Sequence, residues 1–371
     1  MATKTKSKRI FYFDALRALA ILSVITFHVF GCTNGMATKE FVTGPTLNWF
    51  INCFFGSSKI GVDLFLMLSG ALSLGRVWDI KSFLGKRFPR ITAPYLFWGF
   101  ALGTLMFLSL MYVPDILGKF ILPIDSVSAM GFLTYLYDVY MAVNPGTSQF
   151  WFFWLILGTY LIMPVLNKWL LHSDLKEAEY FLFFWLIACI FQDTLNIQFP
   201  IKLDYFAGTI GLVVLGYYLR HTERKILNNP YFALLLTVVG VSSSMLAMYL
   251  AFTPGDLTTP YNGRLSIYLV IFVIGLFLLF KNFSKFNLNL DFLSKPIAIF
   301  KKVVFSIAKY SYGMYLNHIF IMLVLLHYFK DMNLEYLPMA LGLIFGVLCI
   351  SCGVMALLNR IPYLNQVIGA K

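Results

Sequence analysis

Charge is scarce in this sequence. Only 12% of its 371 residues are Asp, Glu, Lys or Arg, about half the roughly 25% of an ordinary soluble domain. Long polar stretches are equally rare. Apolar runs of about 20 residues, each long enough for a bilayer core of about 30 Å, recur along the whole chain. This excludes a water-soluble globular protein. The tail after Asn359 is short, so no appended soluble domain is expected, and residues 1–371 read as one all-α, polytopic integral-membrane domain. The apolar run after Phe11 is too long for a signal-peptide core and lacks a small-residue cleavage site, so it reads as a retained helix.

Acidic residues are scarcer than basic ones, 17 against 29, for a net charge of +12. With no basic stripe on a soluble domain, this balance does not indicate nucleic acid. Cations concentrated in loops on one side of a membrane account for it better. Cysteines number five. Cys349 and Cys352 form a C-x-x-C inside an apolar run with no second pair and read as packing residues. Cys32 and Cys53 both fall near the outer face, where an oxidising exterior would allow them to pair.

Periodicity and length predict ten spans: 10–31, 57–75, 91–113, 150–171, 180–195, 204–220, 230–252, 264–281, 303–328 and 338–358. With the N-terminus placed in the cytoplasm, the outer segments hold only Lys39, Lys119, Lys202, Arg264 and Lys330. The inner segments hold most of the rest, among them Lys4, Lys6, Lys8, Arg9 and Lys371. The expected topology therefore has both termini cytoplasmic. An amphipathic piece, "NWFINCFF", precedes the second span. The long outer segment 114–149, broken at Pro114, Pro123 and Pro145-Gly146, could hold a short interfacial or re-entrant helix or cap a cavity.

Against this apolar background, ionisable residues inside spans stand out, because each is costly there and tends to face a cavity or a partner. In "FDALRALAILSVITFH", residues 13–28, 100° per residue puts Arg17 and His28 about 20° apart and Asp14 and His28 about 40° apart. One stripe thus carries Asp14 and Arg17 near the inner face and His28 about 16–17 Å further on. On the structural reading, Asp14 and Arg17 form an i,i+3 pair and His28 is an interfacial residue. In "GVDLFLMLSG", Asp63 lies near the depth of His28; it either orients the imidazole as a carboxylate does for a general base, or pairs with Lys59 or water. "GKRFPRITAPY" places Arg87 and Arg90 three apart at the expected start of the third span, where Pro89 suits a first helical turn. There they form an anion site or simply anchor the helix. "SYGMYLNHIF" aligns Ser311, Tyr315 and His318 on one face. Trp151 and Trp154, in "FWFFWLILGTYLIMP", are either an aromatic belt or a platform on which a sugar stacks. His172 and His221 read as solvated loop residues and His327 as an interface residue. His28 and His318 lack a clear third ligand, so no metal centre is expected.

These five segments, in their order along the chain and with N-in topology, resemble the membrane-bound acyltransferase-3 family, bacterial O-acyltransferases that modify cell-envelope glycans. The resemblance covers nearly the whole chain. It implies a multi-pass protein of the bacterial inner or plasma membrane, with cytoplasmic acyl-CoA, most simply acetyl-CoA, as donor and an extracytoplasmic glycan as acceptor. By resemblance His28 is the essential histidine, Arg17 its motif partner, and Arg87 and Arg90 the acyl-CoA-binding pair. Leu66 and Ala71 stand where the family usually has Phe. Some relatives carry a fused extracytoplasmic esterase-like domain, so this chain is expected to complete transfer alone or with a separate partner. His28 would act as general base or be transiently acylated. Asp63 would hold the imidazole, and Ser311, Tyr315 and His318 would line the cavity and help stabilise the oxyanion. A pantetheine arm is about as long as the Arg17–His28 separation. The rival reading is a transporter or flippase for a glycan or lipid-linked sugar, its intramembrane charges lining a path.

Overall fold

The computed structural model describes residues 9–40, 47–124, 126–203, 205–251, 263–286 and 294–370. Lys4, Lys6, Lys8 and Lys371, which enter the topology argument, lie outside these. Every regular element among the described residues is helical. Eight helical segments among the described residues are long and apolar enough to cross a membrane. The fold class is therefore an all-α polytopic membrane protein.

Helix α1 (Phe11–Glu40) is the axis of the bundle. Its buried residues, among them Leu16, Ala20, Ile21, Ile25, Val29 and Asn34, lie on every face. That is the signature of a helix surrounded by other helices rather than by lipid. It packs against α2 (Leu47–Gly56), α3 (Gly61–Ser73), α12 (Ser294–Lys330) and α13 (Tyr336–Leu358). Helix α2 is the expected amphipathic piece: it buries Trp49, Asn52, Cys53 and Phe55 and exposes Leu47, Phe50 and Phe54. A 3₁₀ turn, Ser57–Ile60, joins it to α3.

Helix α4 runs from Ile80 to Tyr112, with Asp79 capping it through Ser82 N. It starts well before the expected span at 91, because hydropathy marks only the apolar part of a helix that continues past the lipid. Pro89 and Pro94 are consequently interior, not first-turn, residues. Segment 114–149 contains α5 (Pro114–Leu117) and α6 (Ala129–Tyr140), followed by a 3₁₀ segment, Pro145–Phe150. Helix α6 lies along α4, where Gly99 and Gly103 make room for Tyr140 and Leu136. Helix α7 (Trp151–His172) follows.

The fifth and sixth expected spans are short helices. Helix α8 (Leu175–Ala188) passes into a π-helical turn, Cys189–Thr194, and α9 covers only Ile210–His221. At 1.5 Å per residue α9 is about 18 Å long, little more than half a bilayer core. It is held tightly against α3. A Cβ built at Gly70 would fall 1.9 Å from the Val213 carbonyl oxygen, and one at Gly216 would fall 2.0 Å from that of Met67. Small residues that allow such backbone approach are the usual means of helix association in lipid. Helices α10 (Pro230–Ala251) and α11 (Ile267–Asn282) complete the bundle, and a short α14 (Leu364–Val367) follows α13.

Candidate active site

Helices α1, α3, α4, α7 and α12 enclose a cavity of about 310 Å³. Among the described residues its lining holds four cations, Arg17, Arg87, Arg90 and Lys309, and no carboxylate. Arg90 is exposed and marks the mouth. Arg87 is anchored by donating to Ser73 Oγ at 2.8 Å, and its guanidinium lies over the rings of Phe83 and Tyr160. Because α4 starts at Ile80, the two arginines sit two turns or more into the helix. Attraction for an anion therefore comes from the guanidinium groups, not from free N–H groups at a helix start.

The stripe on α1 is present as expected, but Asp14 serves a residue outside it. Arg9 donates to both carboxylate oxygens, Nε at 2.6 Å and Nη2 at 2.9 Å. Arg17 Nη1 stands 3.6 Å away. This bidentate Arg–carboxylate geometry is the stronger contact, and it leaves Arg17 directed to the cavity. The other free face of the cavity comes from Ser311, Tyr312 and Tyr315 of α12. Their hydroxyl protons are already committed to carbonyls: Ser311 to Ala308 at 3.0 Å, Tyr312 to Ile91 at 2.8 Å, and Tyr315 to Gln149 at 3.0 Å. Ser311 and Tyr315 thus line the site as expected, but in this geometry neither aims an O–H into it as an oxyanion donor.

Tyr315 links the cavity to the histidines. Its ring lies 5.7 Å from that of His318, and His318 meets His28, with ring centroids 4.9 Å apart and His318 Nε2 3.3 Å from His28 Nδ1. His318 is fully buried. A clamp sets this register: Tyr315 donates to the Gln149 carbonyl while the Gln149 side chain donates to the Leu316 carbonyl at 2.8 Å. The long segment 114–149 thus ends by fixing the level of α12 that carries His318. His172 and His221 are exposed.

Asp63 does not orient His28 here. Its carboxylate, 2% exposed, accepts from Arg264 Nε at 3.2 Å and Nη2 at 3.3 Å, with Lys59 adding a nearby positive charge. The reason is topological: the stretch just before α11 is docked on the π-helical turn. Ser266 Oγ donates to the Asp193 carbonyl at 3.0 Å and Ile267 N to Thr194 Oγ1 at 2.8 Å. Arg264 then stacks over Trp151 at 4.7 Å. Trp151 is therefore a support for Arg264, while its neighbours Phe152, Ile156 and Tyr160 line the cavity. All five cysteines are free thiols; Cys53 is buried and Cys32 Sγ faces Met322 Sδ.

Sequence reasoning missed Arg9 as the partner of Asp14, Arg264 as that of Asp63, and Lys309 and Gly369 in the cavity wall. Lys309 carried a usable signal, being a cation inside a predicted span. Gly369 carried none. It reaches the cavity because the Ile368 carbonyl accepts from Trp98 Nε1 at 3.1 Å, and Gly369 takes a φ of +86° against Tyr312 and Gly313.

No curated protein and no solved structure matches the chain. The family model of the acyltransferase-3 group, described as an acyltransferase domain, matches residues 10–357. That stretch includes every helix from α1 to α12 and all four cavity cations. The chain belongs to the acyltransferase-3 family and is a membrane acyltransferase.

Proposed function

We propose that the protein transfers an acyl group, most simply acetyl, from cytoplasmic acyl-CoA across a bacterial cell membrane to a hydroxyl of an extracytoplasmic glycan. The observation that carries this reading is the cavity with four cations and no carboxylate, joined through Tyr315 to the His28–His318 pair. The basic end faces the cytoplasm under the charge bias of the loops. Arg87, Arg90, Arg17 and Lys309 bind the phosphates of the donor, guanidinium groups being suited to bidentate phosphate contacts. The apolar wall of Phe65, Phe152 and Ile156 accepts the less polar arm.

His28 acts as general base. It takes the proton of the acceptor hydroxyl as that oxygen bonds to the thioester carbon. The carbon–sulfur bond breaks, and His28 returns the proton to the departing thiolate. CoA stays on the cytoplasmic side and the ester forms on the other. A separate extracytoplasmic protein could relay the acyl group onward in the cell.

Purified protein in lipid nanodiscs, given radiolabelled acetyl-CoA and isolated envelope glycan, tests the reading. The expected result is labelled glycan from the natural protein and at least a hundred-fold less from His28→Ala, the usual scale for loss of a general base. Equal labelling by both proteins would sink the role of His28. Transfer from a donor other than acyl-CoA alone would sink the donor assignment.

A further inference from the structure

We infer that His318 is the positioning residue of His28: it holds the His28 proton on Nδ1 and leaves Nε2 as the reacting nitrogen. The inference rests on the reading of His28 as the base, and it assigns to a neutral imidazole the task expected of Asp63.

Which atoms can donate decides the tautomers of both rings. A backbone carbonyl oxygen only accepts. His318 Nδ1 lies 2.7 Å from the Tyr315 carbonyl oxygen, so Nδ1 carries the His318 proton, and Nε2 of the neutral ring is a lone pair. His28 Nδ1 lies 2.8 Å from the Val24 carbonyl oxygen and 3.3 Å from that lone pair. Two acceptors converge on one nitrogen, so His28 Nδ1 carries a proton shared between them. The opposite tautomer would set three lone pairs against one another around a half-buried nitrogen. The remaining His28 nitrogen, Nε2, is then unprotonated.

The contact to a carbonyl one turn back is ordinary for a helical histidine. His172 and His221 make it too, to Lys168 and Tyr217. What sets His28 apart is the second acceptor. When Nε2 takes a proton from the acceptor hydroxyl, the imidazolium keeps its Nδ1–H on two neutral acceptors, and the charge is stabilised without a resident carboxylate. Asp63 is already paired with Arg264. A fixed anion beside a resting neutral histidine would itself need a partner in the membrane interior. The His28–His318 pair is neutral at rest and carries one positive charge only while the proton is in hand. The clamp between Gln149 and α12 keeps His318 at the height where its Nε2 meets His28.

The test is nitrogen-15 NMR of histidine-labelled protein in nanodiscs, with the two resonances assigned by their loss in His28→Ala and His318→Gln. Both histidines should show the Nδ1–H pattern. A His28 signal protonated on Nε2 overturns the inference. Kinetics add a second readout. His318→Leu should lower kcat about ten- to a hundred-fold, the scale on which removing a group that orients a functional histidine is felt, with KM for acetyl-CoA unchanged. His318→Gln, whose side-chain oxygen accepts near the position of Nε2, should recover most of that loss. Unchanged kcat in His318→Leu, or equal loss in both variants, also overturns it. The NMR result stands apart from the base assignment: transfer surviving in His28→Ala would remove the base while the tautomer pattern remained as measured.

Discussion

Two charged regions of this bundle are built on opposite plans. At the basic end, Arg17, Arg87, Arg90 and Lys309 share a cavity whose lining has no carboxylate. At the other, Asp63 is buried under Arg264, which is itself stacked on Trp151. In lipid a charge persists when it has a partner or a route to water. The second region supplies its partner from within the chain and is structural. The first keeps its positive charge uncompensated by the lining and is suited to a ligand that brings negative charge. Asp14 shows the same distinction within a single helix, since it neutralises Arg9 closely and leaves Arg17 to the cavity.

The largest expected effect of breaking this contrast is at the paired end. Asp63→Asn leaves Arg264 without its anion and should cost about 3–5 kcal/mol, seen as a lowered thermal midpoint in detergent. Adding Arg264→Gln should restore part of that stability. A single variant as stable as the natural protein but inactive would return Asp63 to the catalytic group. At the open end the pattern should reverse. Arg87→Ala removes a charged hydrogen-bonding group worth about 1.5–3 kcal/mol, so KM for acetyl-CoA should rise about ten- to a hundred-fold, with the thermal midpoint nearly unchanged. Loss of folded protein in step with loss of binding would place Arg87 among the structural cations, through Ser73 and Tyr160. The smallest effect is expected at Trp151. Trp151→Leu removes a cation–π contact of about 0.5–2 kcal/mol and should lower stability slightly, with KM for the glycan unchanged. A raised KM for the glycan would instead assign Trp151 to the sugar platform.

Much of this was legible along the chain. The stripe of Arg17 and His28 follows from helical arithmetic, and α1 carries it as expected. The run from Ser311 to His318 lies on one helix, and its members do meet the cavity or His28. Partners across the fold were not legible. Arg264 is 201 residues from Asp63, and His318 is 290 residues from His28. Shorter separations in the chain favour Lys59 for Asp63 and Asp63 for His28. Boundaries failed for a different reason. Hydropathy reports where lipid ends, so it places the start of α4 at 91 while the helix starts at Ile80. It also cannot tell a full span from a short helix pressed against glycines, as in α9.

The sequence alone determined the class of molecule, because apolar length and scarcity of charge leave a bilayer as the only suitable solvent. It also determined which ionisable residues needed an explanation, since each is expensive inside a span. Tertiary structure alone decided which of them are satisfied by one another and which remain for a ligand. Pairing depends on how helices distant in the chain are docked, here through the π-helical turn that delivers Arg264 to Asp63 and the clamp that brings His318 to His28. Periodicity along one helix carries no information about that docking.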